Sequence, residues 1–368
     1  NGYDAPVTAR LRAAGAVIIG KTSTMEFAIG MPDASKPFPV PRNPWNTDTW
    51  PGGSSSGSGS GVAAGLFLGA LGTDTGGSIR IPAAFCGISG MKQTFGRVPK
   101  SGCVALGYSR DHIGPMARSA KDCAIMLKVL AGHDPSDLCS VDMPVPDYPA
   151  FLDGSLKGMK VGVERKNHFG HPAEDAFAKD VFEAAVKVFV EAGAEVFEVE
   201  VPFYKEVNAA SQVAGRSESF AYHRLDLRNH RGLYGAHTKD ILIGGALATG
   251  YEYVQTQRLR MFAKKAVDEL MQTLDVLITP ATGAGAPPLE GLNAESFFTL
   301  PMYSSFWNTV GLPAICVPMG FASNGLPLSL QVVAKPFDEA TAFRAADGYQ
   351  QCTPWHLQVP AIAQEAYA

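Results

Sequence analysis

Glycine and serine dominate one stretch of this chain, and the rest must fold around it. Residues Gly52 to Gly90 read GGSSSGSGSGVAAGLFLGALGTDTGGSIRIPAAFCGISG. Two glycine-rich turns carrying serines flank an apolar run, Val62 to Leu71, too short to cross a bilayer and expected as a buried core element. Glycines at this density make a poor core. They imply backbone placed where side chains would obstruct, either at positive φ or with main-chain N–H groups close to a bound group. The second turn, Thr73 to Ser78, runs into IRIPAA, where Pro82 suits the first turn of a helix. A serine following Gly-Gly at such a helix start lies beside unpaired amides and a favourable dipole. That placement fits a nucleophile whose product is an oxyanion.

The 368 residues are 46% hydrophobic and 18% charged, enough for a large core in one to three domains. A net charge of −4 with no Lys/Arg cluster argues against a nucleic-acid partner. Six cysteines without CxxC spacing, several in apolar runs, suit reduced core thiols in a cytoplasmic protein and offer no zinc site. No run of 18 apolar residues occurs, so no membrane span is expected.

Residues 5–15 are predicted as a helix, followed by AVIIG (16–20) as a short buried strand. Residues 30–51 contain six prolines and are expected as an irregular loop in which Phe38 and Trp45 pack. Further helices are predicted at 119–131, 172–192, 251–274 and 338–349. Strands are expected in MKVGV, EVFEVEV, DVLIT, PAICVPM and LSLQVVA. Helices alternating with apolar strands predict an α/β protein around a mixed, largely parallel sheet.

Glycine-rich turns before helices also cradle phosphates, so that class is tested first. No Gly-Lys-Ser/Thr triplet occurs in the stretch, and Gly59, Gly61 and Gly65 give GxGxxxG with no strand before them. Ser54 in PGGSSSG and Ser78 in GTDTGGSIR are a better lead: each directly follows Gly-Gly, 24 residues apart. Together with Gly52, Gly53, Ser55, Gly57, Gly72, Asp74, Gly76, Gly77, Arg80, Pro82, Ala83 and Gly87, they resemble the amidase signature family. Weaker echoes, among them RNPWN, DHIGPMARSAKD and the segment from GLPAICVPM onward, extend the resemblance over essentially all 368 residues.

The resemblance implies an α/β/α sandwich forming a single domain over residues 1–368, and a Ser–cisSer–Lys triad. By that likeness Ser78 is the nucleophile that forms an acyl-enzyme from an amide, and Ser54, after a cis peptide, relays the proton. The N–H groups of Thr75, Gly76, Gly77 and Ser78 would make the oxyanion hole, and Ala28 would border the acyl pocket. Asp74 and Arg80 are expected to tie the loop together, with Ser55 as a bracing hydroxyl. No metal or cofactor is implied. The family's base lysine lies upstream of the segment resembling AGAVIIGKTSTMEFAIG, so it is expected before residue 1 of this chain, which begins NGYDAPV. Lys21, 33 residues before Ser54, matches a different lysine of the family.

The function this implies is hydrolysis of a small-molecule carboxylic amide, with a homodimer or association with an N-terminal segment as the partners in view. The alternatives are the A subunit of a tRNA-dependent amidotransferase and an inactive homologue serving as a binding module. Among other residues, His168 and His171 read as a solvent-facing loop pair without a carboxylate partner, and His112 as structural. Tyr303, Phe306, Trp307 and Asn308 either wall the leaving-group side or pack in the core. Ser56 and Gln93 stand where many relatives carry glycine and proline.

Overall fold

The computed structural model describes residues 2–29 and 31–365. Eight strands form one sheet: β1 (Gly69–Asp74), β2 (Ser89–Lys92), β3 (His112–Ala117), β4 (Lys160–Glu164), β5 (Glu195–Val199), β6 (Val276–Pro280), β7 (Ala314–Phe321) and β8 (Pro327–Ala334). Their order is β1-β3-β2-β7-β8-β6-β4-β5. The predicted α/β class and mixed sheet are present, but the sheet is not largely parallel. Five of its pairings are antiparallel and only β4–β5 and β4–β6 are parallel. A continuous apolar run reports that both faces of a strand are covered, and is blind to strand direction. The direct signal was the short ASNGL link from β7 to β8, where Gly325 takes φ +77 and Ala322 N–H donates to Leu326 O at 2.8 Å.

Side chains alternate between the two faces of the sheet. Ile315, Val317, Leu330, Val332, Val276 and Ile278 pack on one face, and Ala314, Val333 and Leu277 on the other. The α-helices among the described residues are α1 (Pro6–Ala13), α2 (Ser56–Ala63), α3 (Arg80–Cys86), α4 (Ala120–Leu130), α5 (Ala178–Glu191), α6 (Tyr204–His230), α7 (Ala236–Gly245), α8 (Gly250–Met271), α9 (Ala294–Phe298), α10 (Ser305–Val310), α11 (Glu339–Cys352) and α12 (Ala361–Glu365). The first face is covered by α4, α5 and α11 through Leu127, Phe182, Phe189 and Phe343. Burying each such side chain contributes roughly 1.5–3 kcal/mol. The second face is covered by α6, α8 and α10 through Val207, Val267, Phe306 and Trp307. Local signals set the helix ends: Ser119 Oγ accepts from Asp122 N–H at the start of α4, and Thr249 with Glu252 forms a capping box on α8.

Four local expectations are overturned. AVIIG is not a strand: no strand pairs with it among the described residues, and Val17 and Ile19 are 88% and 71% exposed. Val62–Leu71 is not one core element. The chain leaves α2 at Ala63 and enters β1 at Gly69, with Leu66 and Leu68 facing solvent between them. The helix predicted from Pro172 begins only at Ala178, because Asp175 accepts from Phe177 N–H and from the Ser323 hydroxyl and holds a turn. Phe38 is exposed, whereas Trp45 does pack, donating from Nε1 to Cys86 O at 2.8 Å.

Candidate active site

The two serine turns converge on one another. Gly52 has φ +84, and a Cβ there would lie 2.6 Å from Pro82 Cα, so the first turn rests directly on the start of α3. The peptide Gly53–Ser54 is cis. Ser55 N–H donates to Ser78 O at 3.3 Å, which brings Ser54 and Ser78 side by side although 24 residues separate them. Their hydroxyls make no hydrogen bond to each other among the described residues. Ser54 is buried and Ser78 is partly open. Ser55 Oγ accepts from Thr73 N–H at 3.1 Å and lies 3.3 Å from Thr73 O, pinning the first turn to β1.

Asp74, at the end of β1, organises the second turn. Its carboxylate accepts from the N–H of Gly77 (2.7 Å) and Ile79 (3.2 Å), from Arg80 Nε and Nη2 (both 3.0 Å), and from Asn308 Nδ2 (2.8 Å). Arg80 also donates to Gln331 Oε1 and Asn308 Oδ1, each at 2.6 Å. Neither Asp74 nor Arg80 has any exposed side chain. Burial alone would raise the Asp74 pKa, but the Arg80 charge and its hydrogen bonds prevail and hold it at about 2. His112 is driven well below the ordinary imidazole value by burial and the nearby Lys92, so it is neutral and its Nδ1–H donates to Asp74 O at 3.0 Å.

Counting the amide donors around Ser78 corrects one expectation. Gly77 does not offer its N–H to an oxyanion, because Asp74 takes it. Gly76 O, on the same peptide, accepts from Ser304 Oγ at 2.7 Å, so that peptide is fixed at both ends. The N–H groups of Thr75, Gly76 and Ser78 have no acceptor among the described residues, although Thr75 is only 6% exposed. Unpaired amides this close together are rare away from water. They supply donors at the one place where a tetrahedral oxygen beside Ser78 would need them. Gly77 is still required there: its φ is +133, and a Cβ would lie 2.0 Å from Ser304 Oγ. The Thr75 hydroxyl donates to Asp111 Oδ1 at 2.5 Å, and Asp111 accepts from Leu106 and Gly107 N–H as well.

The lysines separate clearly. Lys21 is exposed and bonds to neither serine, although Gly57 N–H donates to Ser23 O just beyond it. Lys92 was not singled out in the sequence, where its one signal was a cation inside the apolar run GISGMKQTF. It is wholly buried, with Nζ donating to Leu312 O (2.5 Å) and Gln93 O (3.2 Å). Burial and the Arg80 charge push its pKa far below the ordinary lysine value, against the pull of Asp74 and Glu339. Both Nζ bonds go to backbone carbonyls, so Lys92 does not touch the serine hydroxyls.

Met25 N–H donates to Ser54 O at 3.0 Å and holds the turn Phe27–Ala28 against the cis peptide. Both residues are left-handed, with φ +48 and +62. Phe306 and Trp307 are core residues rather than walls, while Asn308 belongs to the Asp74 network. Tyr303 is nearly buried and its peptide oxygen lies 3.4 Å from Gln331 Nε2. His168 is not a solvent-facing loop residue. It has no exposed surface and its Nδ1 is paired with buried Glu164, four residues back, a carboxylate that the HxxH spacing concealed. No group of three metal-ligating side chains and no helix long and apolar enough to cross a membrane occurs among the described residues.

A sequence profile of the Amidase family matches residues 1–343. The chain is 40% identical over 396 aligned positions to the A subunit of a glutamyl-tRNA(Gln) amidotransferase from Roseiflexus castenholzii, covering 100% of this chain and 79% of that protein. It is similar in structure to a component of a vestigial protein complex bearing on the origins of an s-triazine catabolic enzyme (TM-score 0.89, 30% identity, 95% of this chain and 77% of that one). It is also similar to a peptide amidase crystallised with the competitive inhibitor chymostatin (TM-score 0.82, 31% identity, 97% and 78%).

Proposed function

The chain belongs to the amidase family, and from that premise we infer that Ser78 attacks a carboxamide carbonyl. The Ser78 Oγ–carbon bond forms, the hydroxyl proton passes by way of Ser54 to the departing nitrogen, and the carbon–nitrogen bond breaks to release ammonia or an amine. Water then cleaves the resulting ester and frees the carboxylate. The observation that carries this reading is the trio of unpartnered N–H groups of Thr75, Gly76 and Ser78, beside a partly open serine. Asp74, Arg80 and Ser55 act as positioning residues that hold the turns, and Ala28 borders the acyl side.

Of the two enzymatic settings, the amidotransferase reading is the stronger. Sequence identity to amidotransferase A subunits from several organisms is 37–40% over 98–100% of the chain. In that setting the released nitrogen comes from glutamine and passes to a partner protein. Association with partner proteins is the form in which the chain works, and its six free thiols suit a reducing compartment. The second reading, a free-standing amidase, is favoured by the likeness to the peptide amidase. The test is labelling by a serine-directed fluorophosphonate, together with ammonia release from glutamine and from a peptide amide, with and without co-purified partner proteins. Ser78→Ala is expected to abolish labelling and turnover. Equal turnover by Ser78→Ala and the parent would overturn the mechanism, and glutamine turnover indifferent to partners would overturn the amidotransferase setting.

A further inference from the structure

A groove of about 420 Å³ runs beside the C-terminal half of α6, floored by Phe220, Leu227 and, from α7, Ile243. Leu225 lines it too and is left 62% exposed. Along the same groove stand Arg224, Arg228 and Arg231, the last in the 3-10 turn that follows α6. Like charges four and three residues apart oppose helix formation, so this row is not there for the helix's own stability. No acidic residue lies three or four positions from any of the three. Their guanidinium groups make no ion pair or hydrogen bond among the described residues. Asp226, the one carboxylate between them in sequence, is engaged by His230 Nδ1 (3.2 Å) and the Tyr234 hydroxyl (3.4 Å). By contrast Arg12 holds Asp4, Arg165 holds Glu183, and Arg344 holds Asp153.

Three free cations over an apolar floor are complementary to one ligand chemistry: a helical segment with carboxylates along one edge and apolar side chains beside them. The concave form favours such a segment over a lipid surface. A ridge of side chains fills a groove, whereas a bilayer takes up the apolar face of a helix lying flat upon it. The groove is also close to the serine turns. Leu227 packs in one apolar cluster with Tyr234 and Phe27, and the Phe27 ring lies 4.5 Å from that of His223 on α6. Phe27 and Ala28 form the turn held against the cis peptide by Met25 N–H and Ser54 O. A segment seated in the groove therefore presses on the helix that backs this turn.

We propose that this groove docks an acidic amphipathic helix of a partner protein, with its carboxylates on Arg224, Arg228 and Arg231 and its apolar side chains on Phe220, Leu227 and Ile243. This rests on the association with partner proteins inferred above and not on the amide chemistry. The probe is a fluorescein-labelled helical peptide of about 15 residues, with glutamates at alternating four- and three-residue spacing and leucines on the adjoining face. Its control carries lysine at every glutamate. Fluorescence anisotropy with the full chain is expected to give a Kd on the order of 10 μM for the acidic peptide, and binding about tenfold weaker or less for the lysine peptide. Raising sodium chloride from about 50 to 500 mM should weaken the acidic complex, since its ion pairs lie at the surface. Arg224→Glu with Arg228→Glu alters two exposed side chains. The double variant is expected to melt like the parent, to release the acidic peptide and to accept the lysine one. Equal binding of the two peptides by the parent overturns the docking surface without any variant, as does acidic-peptide binding that survives the double substitution. Binding to phosphatidylglycerol vesicles or to duplex RNA with the acidic peptide left free overturns it as well, in favour of a different partner. A chain whose Ser78 takes no fluorophosphonate label yet binds the acidic peptide keeps this surface and loses only the catalytic reading. A chain that is labelled but leaves the peptide free loses only the surface.

Discussion

Replacing Asp74 by asparagine removes one charge from a pair that has no contact with water. Arg80 would stay buried with Asn308 and Gln331 as its remaining acceptors, neither of them charged. Breaking a buried pair by removing one partner costs about 3–5 kcal/mol, a large share of the 5–15 kcal/mol typical of a folded domain. The pH dependence gives an independent value. Asp74 is held at about 2 in the folded chain against an ordinary 3.8. That fall corresponds to about 2.5 kcal/mol. Because the folded value is the lower one, the contribution is complete above pH 3.8 and is lost as pH falls toward 2. Urea denaturation from pH 7 down to pH 3 should therefore show the parent losing stability faster than Asp74→Asn at the acid end. Adding Arg80→Met to Asp74→Asn should recover at least half of the loss, since both members of the pair are then gone. A neutral-pH loss below about 1 kcal/mol, or parallel pH profiles for parent and variant, would refute the electrostatic reasoning.

Three further perturbations probe the same turns. Gly77→Ala puts a Cβ 2.0 Å from Ser304 Oγ at φ +133, and should cost about 2 kcal/mol or more in thermal unfolding and abolish fluorophosphonate labelling; normal labelling would contradict the fixed-peptide picture. Ala28→Gly relieves a left-handed φ of +62 and should raise stability by about 0.5–1 kcal/mol in urea titration, so a loss would show that the Cβ makes contacts worth more than the strain. Lys92 has a folded pKa well below its ordinary 10.5, so the unfolded chain binds the extra proton and the parent should gain stability as pH rises from 7 toward 10. Lys92→Met should lack that rise; identical slopes would show that Lys92 stays charged in the fold.

Much of the core is legible from pattern alone, because β6, β7 and β8 are predominantly apolar runs and α4 and α8 carry their own capping residues. What pattern could not supply is whatever depends on contacts far along the chain. Helix α2 is spelled SGSGSGVA, which no propensity scale would favour. It is helical because Gly57 lies against Ser23, Gly59 against Pro82 and Gly61 against Phe67, each leaving no space for a Cβ. Helix α6 runs for 27 residues with only a weakly apolar face, and it is absent from the helices predicted by pattern. Within the site, the serine pair could be read from Gly-Gly spacing. The capture of Gly77 N–H by Asp74 could not, since it depends on which way one peptide is turned.

That peptide explains why so much buried polarity surrounds a short loop. Donors that stabilise a developing oxyanion help the reaction only if they are already aimed, since turning them during the reaction would consume the energy they supply. A glycine-rich turn left to itself samples many conformations. Here the peptide between Gly76 and Gly77 is clamped by Ser304 at its oxygen and by Asp74 at its nitrogen. Asp74 is in turn held by Arg80, and Arg80 by Gln331 of β8 and Asn308 of α10. The loop thereby inherits the rigidity of the central sheet while keeping the small residues that let Thr75, Gly76 and Ser78 present bare amides. Removing Gln331 tests that chain of support at its far end. Gln331→Leu leaves every atom of the turn in place but deprives Arg80 Nη1 of its acceptor. It should lower the rate of Ser78 labelling several-fold while leaving Ser54, Ser78 and the substrate groups untouched. An unchanged labelling rate would mean that the turn holds its shape without the sheet.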